Sequence, residues 1–179
     1  WVLPLAWAVM TAIQPPAFEA QISPFAPLTT ENFVRAWNAA PFARYLVNTV
    51  LLVTMILAAQ LLLCIHAAFA FARLDFPGKD LVFALVLVQL MVMPDVLLVR
   101  NYTTIAQLGV LDTILAIGLP YFASGFAIFL LRQTFKTIPQ ELDDAARVEV
   151  CGLLGLIWRV YVPLAKPTIL AFGLVSVSN

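Results

Sequence analysis

The stretch from Ile138 to Pro167 holds the residues whose types and spacing point most clearly to a specific interaction. Pro139 suits the first turn of a helix, where the N–H that proline lacks would have no intrahelical partner. Carboxylates follow in the first turns, where the positive end of the helix dipole favours negative charge; they belong to Glu141, Asp143 and Asp144. These residue types predict a short helix with a negatively charged first turn.

One face of this helix is made largely of small side chains. Spacings of three and four residues place on it Leu142, Ala145, Ala146 and Glu149. A face of alanines permits close approach by another protein surface. The residues alone leave two interpretations open, an amphipathic linker helix on the membrane surface or a docking helix for a cytoplasmic partner.

Patterns typical of catalysis, metal binding or nucleotide binding are absent from the sequence. The phosphate-binding loop G-x-x-x-x-G-K-[ST] does not occur, nor do H-E-x-x-H and G-x-S-x-G, and His66 is the only histidine. Cys64 and Cys151 lack metal-ligand spacing, and we expect no disulfide between them. We therefore expect no catalytic residue, no metal and no cofactor in this chain, which disfavours an intramembrane enzyme.

The composition is that of a membrane protein. Hydrophobic residues make up 63% of the 179 residues and charged residues 11%, against roughly 45–50% and about 25% in soluble domains. The chain therefore lacks the residues for a polar surface. Its formal net charge is zero, so no overall field favours nucleic acid as a partner.

Apolar stretches long enough to cross a bilayer, about 20 residues, recur along the chain. They cover residues 45–72, 81–99 and 113–131, with a last run from about residue 162 and an opening run over 1–13. We expect an all-α, polytopic protein, a bundle of about five to six transmembrane helices. Residues 1–179 would form one domain, incomplete at both ends, with its first and last spans truncated.

The distribution of Lys and Arg predicts the orientation, because cytoplasmic segments carry the excess of these residues. One side would hold Arg73, Lys79, Arg132, Lys136, Arg147, Arg159 and Lys166, and the other Arg35, Arg44 and Arg100. Residues 138–163 would then be cytoplasmic and the proline-rich segment 14–44 extracytoplasmic. Within that segment, the pattern predicts a short interfacial helix over residues 30–37, capped by Thr30.

Polar residues inside the predicted spans are further candidates, since placing them in lipid is expensive. Gln89 is expected to line a solute path, and Asp95, which follows Pro94 near the outer interface, is the second candidate. Asp95 would otherwise serve helix packing or helix-end solvation. For His66 we expect a neutral ring that hydrogen-bonds a neighbouring helix.

The segment from Ile138 to Pro167 resembles the EAA loop of binding-protein-dependent ABC importer permeases. Asp144-Ala145-Ala146 is similar to the E-A-A signature, and Trp158-Arg159-Val160-Tyr161-Val162-Pro163-Leu164 to its closing part. The likeness to the second permease subunit of maltose-type, carbohydrate-uptake systems covers nearly the whole chain. It includes Glu31-Asn32-Phe33, Phe71-Ala72-Arg73-Leu74-Asp75-Phe76-Pro77-Gly78, Leu111-Asp112-Thr113 and Phe129-Leu130-Leu131-Arg132-Gln133-Thr134-Phe135.

The resemblance implies a multi-pass permease subunit of the bacterial cytoplasmic (inner) membrane. Its partners would be a related second permease, two ATP-binding-cassette ATPase subunits that hold ATP and Mg²⁺, an extracytoplasmic solute-binding protein and the lipid bilayer. The solute would be a sugar or a glycerol-phosphate-like compound. The loop would form a coupling helix that contacts an ATPase subunit through Glu141, Asp144, Ala145, Ala146, Glu149 and Val150.

One position departs from the family signature. Val150 stands where the family has a glycine that permits a turn, often at positive φ, and a β-branched residue is strained there. Gly152 could host a shifted turn instead. The alternatives to a coupled importer subunit are a secondary transporter and a membrane scaffold subunit that does not couple.

Overall fold

The computed structural model describes residues 2–15, 27–148 and 152–178. Within these ranges the chain is helical and contains no strand, which confirms the all-α prediction. The helices are α1 Val2–Ala12, α2 Glu31–Ala39, α3 Phe42–Arg73, α4 Lys79–Val88, α5 Leu98–Gln107, α6 Ile114–Gly118, α7 Gly125–Thr137, α8 Glu141–Val148, α9 Leu153–Leu156, α10 Val162–Leu164 and α11 Lys166–Ser178. Shorter 3₁₀ turns cover Gln89–Met91, Pro94–Leu97 and Leu119–Tyr121, and a π-helical turn covers Ile157–Tyr161.

The chain divides into two compact units, residues 1–49 and 50–179. In the first unit, the Asn32 side-chain amide donates to the carbonyls of Ala12 at 3.2 Å and of Gln14 at 2.7 Å. These are carbonyl groups at the end of α1, which have no partner within the helix. Asn32 therefore fixes the start of α2 to the end of α1.

The short helix predicted over residues 30–37 is present as α2, but its cap differs from the prediction. Thr30 makes no capping hydrogen bond through its side chain. The Thr29 hydroxyl instead accepts a bond from the Glu31 N–H at 3.1 Å. The Thr29 N–H in turn donates to the Ile13 carbonyl at 2.8 Å.

Helix α3 alone, within the described ranges, is long and apolar enough to cross a membrane unbroken. Two bent helix pairs would raise the total to three if each pair is one span. They are Ile114–Tyr121 with Gly125–Thr137, bent by 48°, and Leu153–Leu164 with Lys166–Ser178, bent by 79°. Helix α3 covers the span predicted over 45–72, and the first pair covers the span predicted over 113–131.

The continuous span predicted over residues 81–99 is broken in the structure. Helix α4 ends at Val88, and Val92 has extended backbone at φ −92° and ψ 117° between two 3₁₀ turns. Pro94 accounts for part of the break, since it lacks an N–H and disfavours helical backbone in the residue before it. The apolar sequence hides this break because hydropathy does not report backbone geometry.

The core of the second unit lies where α3, α7 and the π-helical turn meet. The fully buried side chains include Cys64, Leu131, Phe135 and Tyr161. Cys64 is a free thiol in this core, and Cys151 lies outside the described residues. Side chains on the first half of α3 are largely exposed, among them Leu46 and Val50, as expected for a helix whose remaining surface faces lipid or another subunit.

Gly125, the first residue of α7, should not tolerate a larger side chain. A Cβ atom there would lie 2.9 Å from the Val86 carbonyl oxygen and 3.1 Å from Gln89 Oε1. We expect Gly125→Ala to lower the free energy of unfolding by about 1–3 kcal/mol, because the backbone of α4 must move. Gly152→Ala is the matched control, since a Cβ there would meet nothing within 4 Å. Thermal unfolding in detergent measures the difference, and equal midpoints for the two variants would contradict it.

Candidate functional site

Two arginines cap each other's helices where α3 and α7 end. Arg132 of α7 is buried and donates from Nε to the Phe71 carbonyl, near the end of α3, at 3.2 Å. Arg73, the last residue of α3, donates to the carbonyl oxygens of Phe135, at 3.2 Å, and of Ile138. Each guanidinium lies at the negative end of the other helix, which favours its charge.

Helix α8 is attached to this pair through Asp143. The Asp143 side chain is buried, with Oδ2 3.7 Å from Arg73 Nε and Oδ1 accepting a hydrogen bond from the Tyr161 hydroxyl at 2.5 Å. The separation from Arg73 is that of an ion pair rather than of a hydrogen bond. Asp143, Arg73 and Tyr161, here called the α8 anchor, thus connect α8 with α3 and with the π-helical turn.

Tyr161 is held from three directions. Its ring makes edge contacts with Phe69 of α3, at 5.0 Å between centroids, and with Phe135 of α7, at 5.2 Å. The Arg73 guanidinium carbon lies 5.3 Å from the ring centroid, within cation–π range. A π-helical turn of the kind found at Ile157–Tyr161 is frequent at functional sites. It places the hydroxyl of a buried tyrosine on the Asp143 carboxylate.

Helix α8 contains several of the residues that the sequence proposed for docking. Glu141 and Asp144 are exposed; at about 100° per residue, Glu141 lies nearly opposite Asp143 and Asp144 lies about a quarter turn from it. Ala145 follows Glu141 by one turn, and the backbone of Ala146 also belongs to α8. The predicted helix is therefore present, with its buried and exposed carboxylates on different sides. Glu149 and Val150 lie outside the described residues, so their predicted roles stay predictions.

The polar residues of the spans form a second group. Gln60 is buried; its amide donates to the Tyr121 carbonyl at 2.8 Å, and its Oε1 accepts from the Ser176 hydroxyl at 2.6 Å. It therefore joins α3 to α11 and to the turn after α6. His66 was expected to hydrogen-bond a neighbouring helix, and this prediction is wrong for the described residues. Its Nδ1 lies 2.6 Å from the Leu62 carbonyl of its own helix, and its ring contacts Trp158.

A cavity of about 220 Å³ lies beside the break between α4 and α5. The two candidate residues for a solute path are placed differently with respect to it. Gln89 lines the cavity, together with Gln60 and Asn101. Asp95 contributes backbone to the turn Pro94–Leu97, and its side chain is outside the described part of the structure. The structure thus brings Gln89 next to other amide side chains.

Comparison with known proteins identifies the family. A family model described as binding-protein-dependent transport system inner membrane component matches residues 67–179, which is most of the chain. The chain belongs to this family. The family consists of transport components rather than catalytic enzymes, and this confirms the family predicted from the segment around Asp144.

Several curated relatives are similar to this family member over most of its length. The probable ABC transporter permease protein YurM of Bacillus subtilis (strain 168) is 33% identical over 97% of the chain and 59% of its own length. The sn-glycerol-3-phosphate transport system permease protein UgpE of Yersinia pestis bv. Antiqua (strain Antiqua) is 32% identical over 78% of the chain and 50% of its own length. The arabinooligosaccharides transport system permease protein AraQ of Halalkalibacterium halodurans is 29% identical over 85% of the chain and 55% of its own length.

A solved structure has a similar fold. The fold matches, with a TM-score of 0.84, a chain in the crystal structure of a bacterial ABC transporter involved in the import of the acidic polysaccharide alginate. The match covers 98% of this chain and 63% of the other, at 21% sequence identity, so it establishes the fold alone. The chain spans between half and two thirds of the length of these relatives.

Sequence reasoning missed the α8 anchor in this family member. Asp143 was grouped with Glu141 and Asp144 as a carboxylate favoured by the helix dipole, although it is the buried one. Helical periodicity could have separated Asp143 from Glu141, which lies nearly opposite it, but not clearly from Asp144, which lies about a quarter turn away. Arg73 and Tyr161 carried no comparable signal, because each is an ordinary residue at the end of an apolar run.

Proposed function

We propose that this chain is a membrane-spanning permease subunit of an ATP-binding-cassette importer and that it forms half of the solute path. The complex would contain a related second permease, two ATPase subunits that bind ATP and Mg²⁺, and an extracytoplasmic solute-binding protein. It would lie in the bacterial cytoplasmic membrane. The names of two relatives, which mention sn-glycerol-3-phosphate and arabinooligosaccharides, support a sugar or a glycerol-phosphate-like solute.

The observation that carries the proposal is the two-sided character of α8. One side is fixed to the bundle by the buried Asp143, and the other presents exposed carboxylates at Glu141 and Asp144. A helix fixed to the membrane bundle passes a displacement to it with little loss, because packed interiors deform little. Helix α8 therefore suits the role of a coupling helix that an ATPase subunit moves during its cycle.

Coupling proceeds in this proposal from the ATPase subunit to the spans. Closure of the ATPase pair on ATP displaces α8, and the α8 anchor carries the displacement to Arg73 of α3 and to Tyr161. Helix α7 moves with them, since Arg73 also holds the carbonyls of Phe135 and Ile138. The spans then open towards the solute-binding protein. ATP hydrolysis belongs to the partner, because this sequence contains no phosphate-binding loop.

A bulky side chain at the centre of the proposed docking face should uncouple the transporter. We expect Ala145→Trp, in the complete complex in proteoliposomes, to abolish ATPase activity stimulated by the solute-loaded binding protein. The reason is steric, since an added indole prevents close approach of the ATPase subunit. Insertion of the permease into the membrane should be unchanged, because Ala145 belongs to a helix outside the predicted spans. ATPase activity and the membrane-bound amount of permease are the two measurements.

Gln140→Ala serves as the control, since Gln140 is exposed and lies just before α8. Normal stimulated ATPase activity in Ala145→Trp would contradict the docking role of α8. Uptake driven by a proton gradient without ATP would identify a secondary transporter instead. Assembly without any ATP-dependent uptake, restored by Val150→Gly, would identify a scaffold subunit that the valine has uncoupled.

A further inference from the structure

The cavity beside the break between α4 and α5 has a lining suited to a small polar solute. Its walls combine amide, hydroxyl and aromatic side chains with apolar ones. They are formed by Gln60, Gln89, Leu90, Val92, Leu97, Asn101, Pro120, Tyr121, Ala123, Ser124, Gly125 and Phe126. At about 30 Å³ for each water molecule in the liquid, a volume of about 220 Å³ accommodates a compact polar molecule rather than a few isolated waters.

Two of the amides in this lining are not used by the fold. Gln60 has both of its amide atoms engaged, with the Tyr121 carbonyl and the Ser176 hydroxyl. The side chains of Gln89 and Asn101 hydrogen-bond no other residue in the described ranges. Gln89 is exposed and Asn101 is half-buried, so both amides can be reached from the cavity. These two side chains are thus available to a molecule in the cavity.

The broken backbone is consistent with such a site. Non-helical backbone at membrane depth is tolerated where it is buried in protein or lines a cavity, because its polar groups otherwise lack partners. The turns Gln89–Met91 and Pro94–Leu97 interrupt the span predicted over residues 81–99, and both contribute residues to the lining. Gly125 keeps α7 close enough to touch Gln89, with Oε1 3.1 Å from the position of an added Cβ.

The chemistry of the lining favours hydroxyl groups over phosphate. An amide offers both donors and an acceptor, and so matches a hydroxyl, which is itself donor and acceptor. Tyr121 and Phe126 add aromatic surface for the apolar face of a sugar. Recognition of phosphate would call for Arg or Lys, and none of the described residues that line the cavity is of either type.

We propose that this cavity is a subsite for a neutral polyhydroxylated solute, such as a sugar unit, in which Gln89 and Asn101 hydrogen-bond the hydroxyl groups. The assignment rests on the proposed importer function and narrows its solute class. It selects neutral sugars over sn-glycerol-3-phosphate. A solute in this subsite would pass close to Gln60, whose bonds to Tyr121 and Ser176 hold the wall of the cavity in place.

Cysteine labelling tests the subsite independently of ATP-driven transport. Gln89→Cys and Asn101→Cys are introduced separately into the complete complex, and maleimide modification at each is followed by peptide mass spectrometry. We expect millimolar L-arabinose, D-glucose or maltose to slow labelling at both positions, and sn-glycerol-3-phosphate to leave it unchanged. Gln107→Cys is the control. Gln107 belongs to α5, as Asn101 does, but it is exposed and does not line the cavity.

Uptake measurements then give the size of the contribution. Loss of one neutral hydrogen bond in Gln89→Ala or Asn101→Ala should raise the KM for the protecting sugar about threefold to tenfold. Gln107→Ala should leave that KM unchanged. Asn101→Arg should weaken protection by neutral sugars and introduce protection by sn-glycerol-3-phosphate, because it places a cation in the lining.

Three results would overturn the subsite. The first is labelling at both cysteines that none of the neutral sugars slows. The second is labelling at Gln89→Cys and Asn101→Cys that sn-glycerol-3-phosphate slows and the neutral sugars do not. The third is equal protection at Gln107→Cys. Absence of ATP-dependent uptake together with sugar protection at Gln89→Cys and Asn101→Cys would count against the importer function while supporting the subsite, so the two failures are distinguishable.

Discussion

Asp143→Ala is expected to lower the free energy of unfolding of this permease by about 3–5 kcal/mol, the range for breaking a buried charge pair from one side. Two groups lose a partner in this variant. Arg73 keeps its bonds to the carbonyls of Phe135 and Ile138 but no longer faces a carboxylate. The Tyr161 hydroxyl, on a fully buried side chain, is left without its acceptor. Unfolding followed by intrinsic fluorescence in detergent measures the loss.

The neighbouring carboxylate provides a matched control. Asp144 is exposed, so Asp144→Ala should change stability by no more than about 0.5 kcal/mol. Tyr161→Phe removes the hydroxyl alone and should cost about 1–3 kcal/mol, because the carboxylate loses a bond while the ring stays packed. A double-mutant cycle between Asp143→Ala and Tyr161→Phe gives their coupling energy. Equal losses for Asp143→Ala and Asp144→Ala would refute the anchor.

Arg132→Ala is expected to cost about 2–4 kcal/mol of unfolding free energy, the second largest effect. The Arg132 guanidinium lies 4.0 Å from the centroid of the Phe83 ring, a cation–π contact that gains strength when desolvated. The same side chain donates to the Phe71 carbonyl, and hydrogen bonds to charged groups are worth about 1.5–3 kcal/mol. The variant removes both interactions and leaves a gap between α4 and α7. The unfolding midpoint and the yield of folded permease both report on it.

Arg132→Lys separates the two contributions. Lysine keeps the positive charge but lacks the planar group that stacks on Phe83 and bonds Phe71 at the same time. It should recover less than half of the loss in Arg132→Ala. Arg159→Ala is the control because Arg159 is exposed, and it should be close to neutral. If Arg132→Lys is as stable as the unsubstituted protein, charge alone accounts for the effect and the stacking argument fails.

The sequence predicted those features that depend on local pattern. Helix α3 follows from a long uncharged run, and α8 follows from Pro139 and the carboxylates after it. The family followed from motifs spread over the chain, and the match over residues 67–179 confirms it. Each of these patterns can be recognised in the sequence itself, so no knowledge of the tertiary fold was needed.

The features that the sequence did not predict depend on residues distant along the chain. Asp143 differs from Asp144 only because α8 packs with one side against Arg73 and Tyr161. The break after Val88 is not visible in hydropathy, since both of its sides are apolar. The partners of Gln60 follow likewise from the packing of α3 against α11. Helical periodicity alone does not specify which neighbour a side chain meets.

The crossed arginine caps have a consequence for biogenesis. During synthesis α3 enters the membrane before α7 exists, with the Phe71 carbonyl and the Arg73 guanidinium still awaiting their partners. Arrival of α7 brings Arg132 to the Phe71 carbonyl and the Phe135 carbonyl to Arg73 in a single event. Each of these two carbonyl groups accepts from an arginine of the other helix, so the two ends become hydrogen-bonded together. An insertion that shifts either helix by one residue would leave both ends open together.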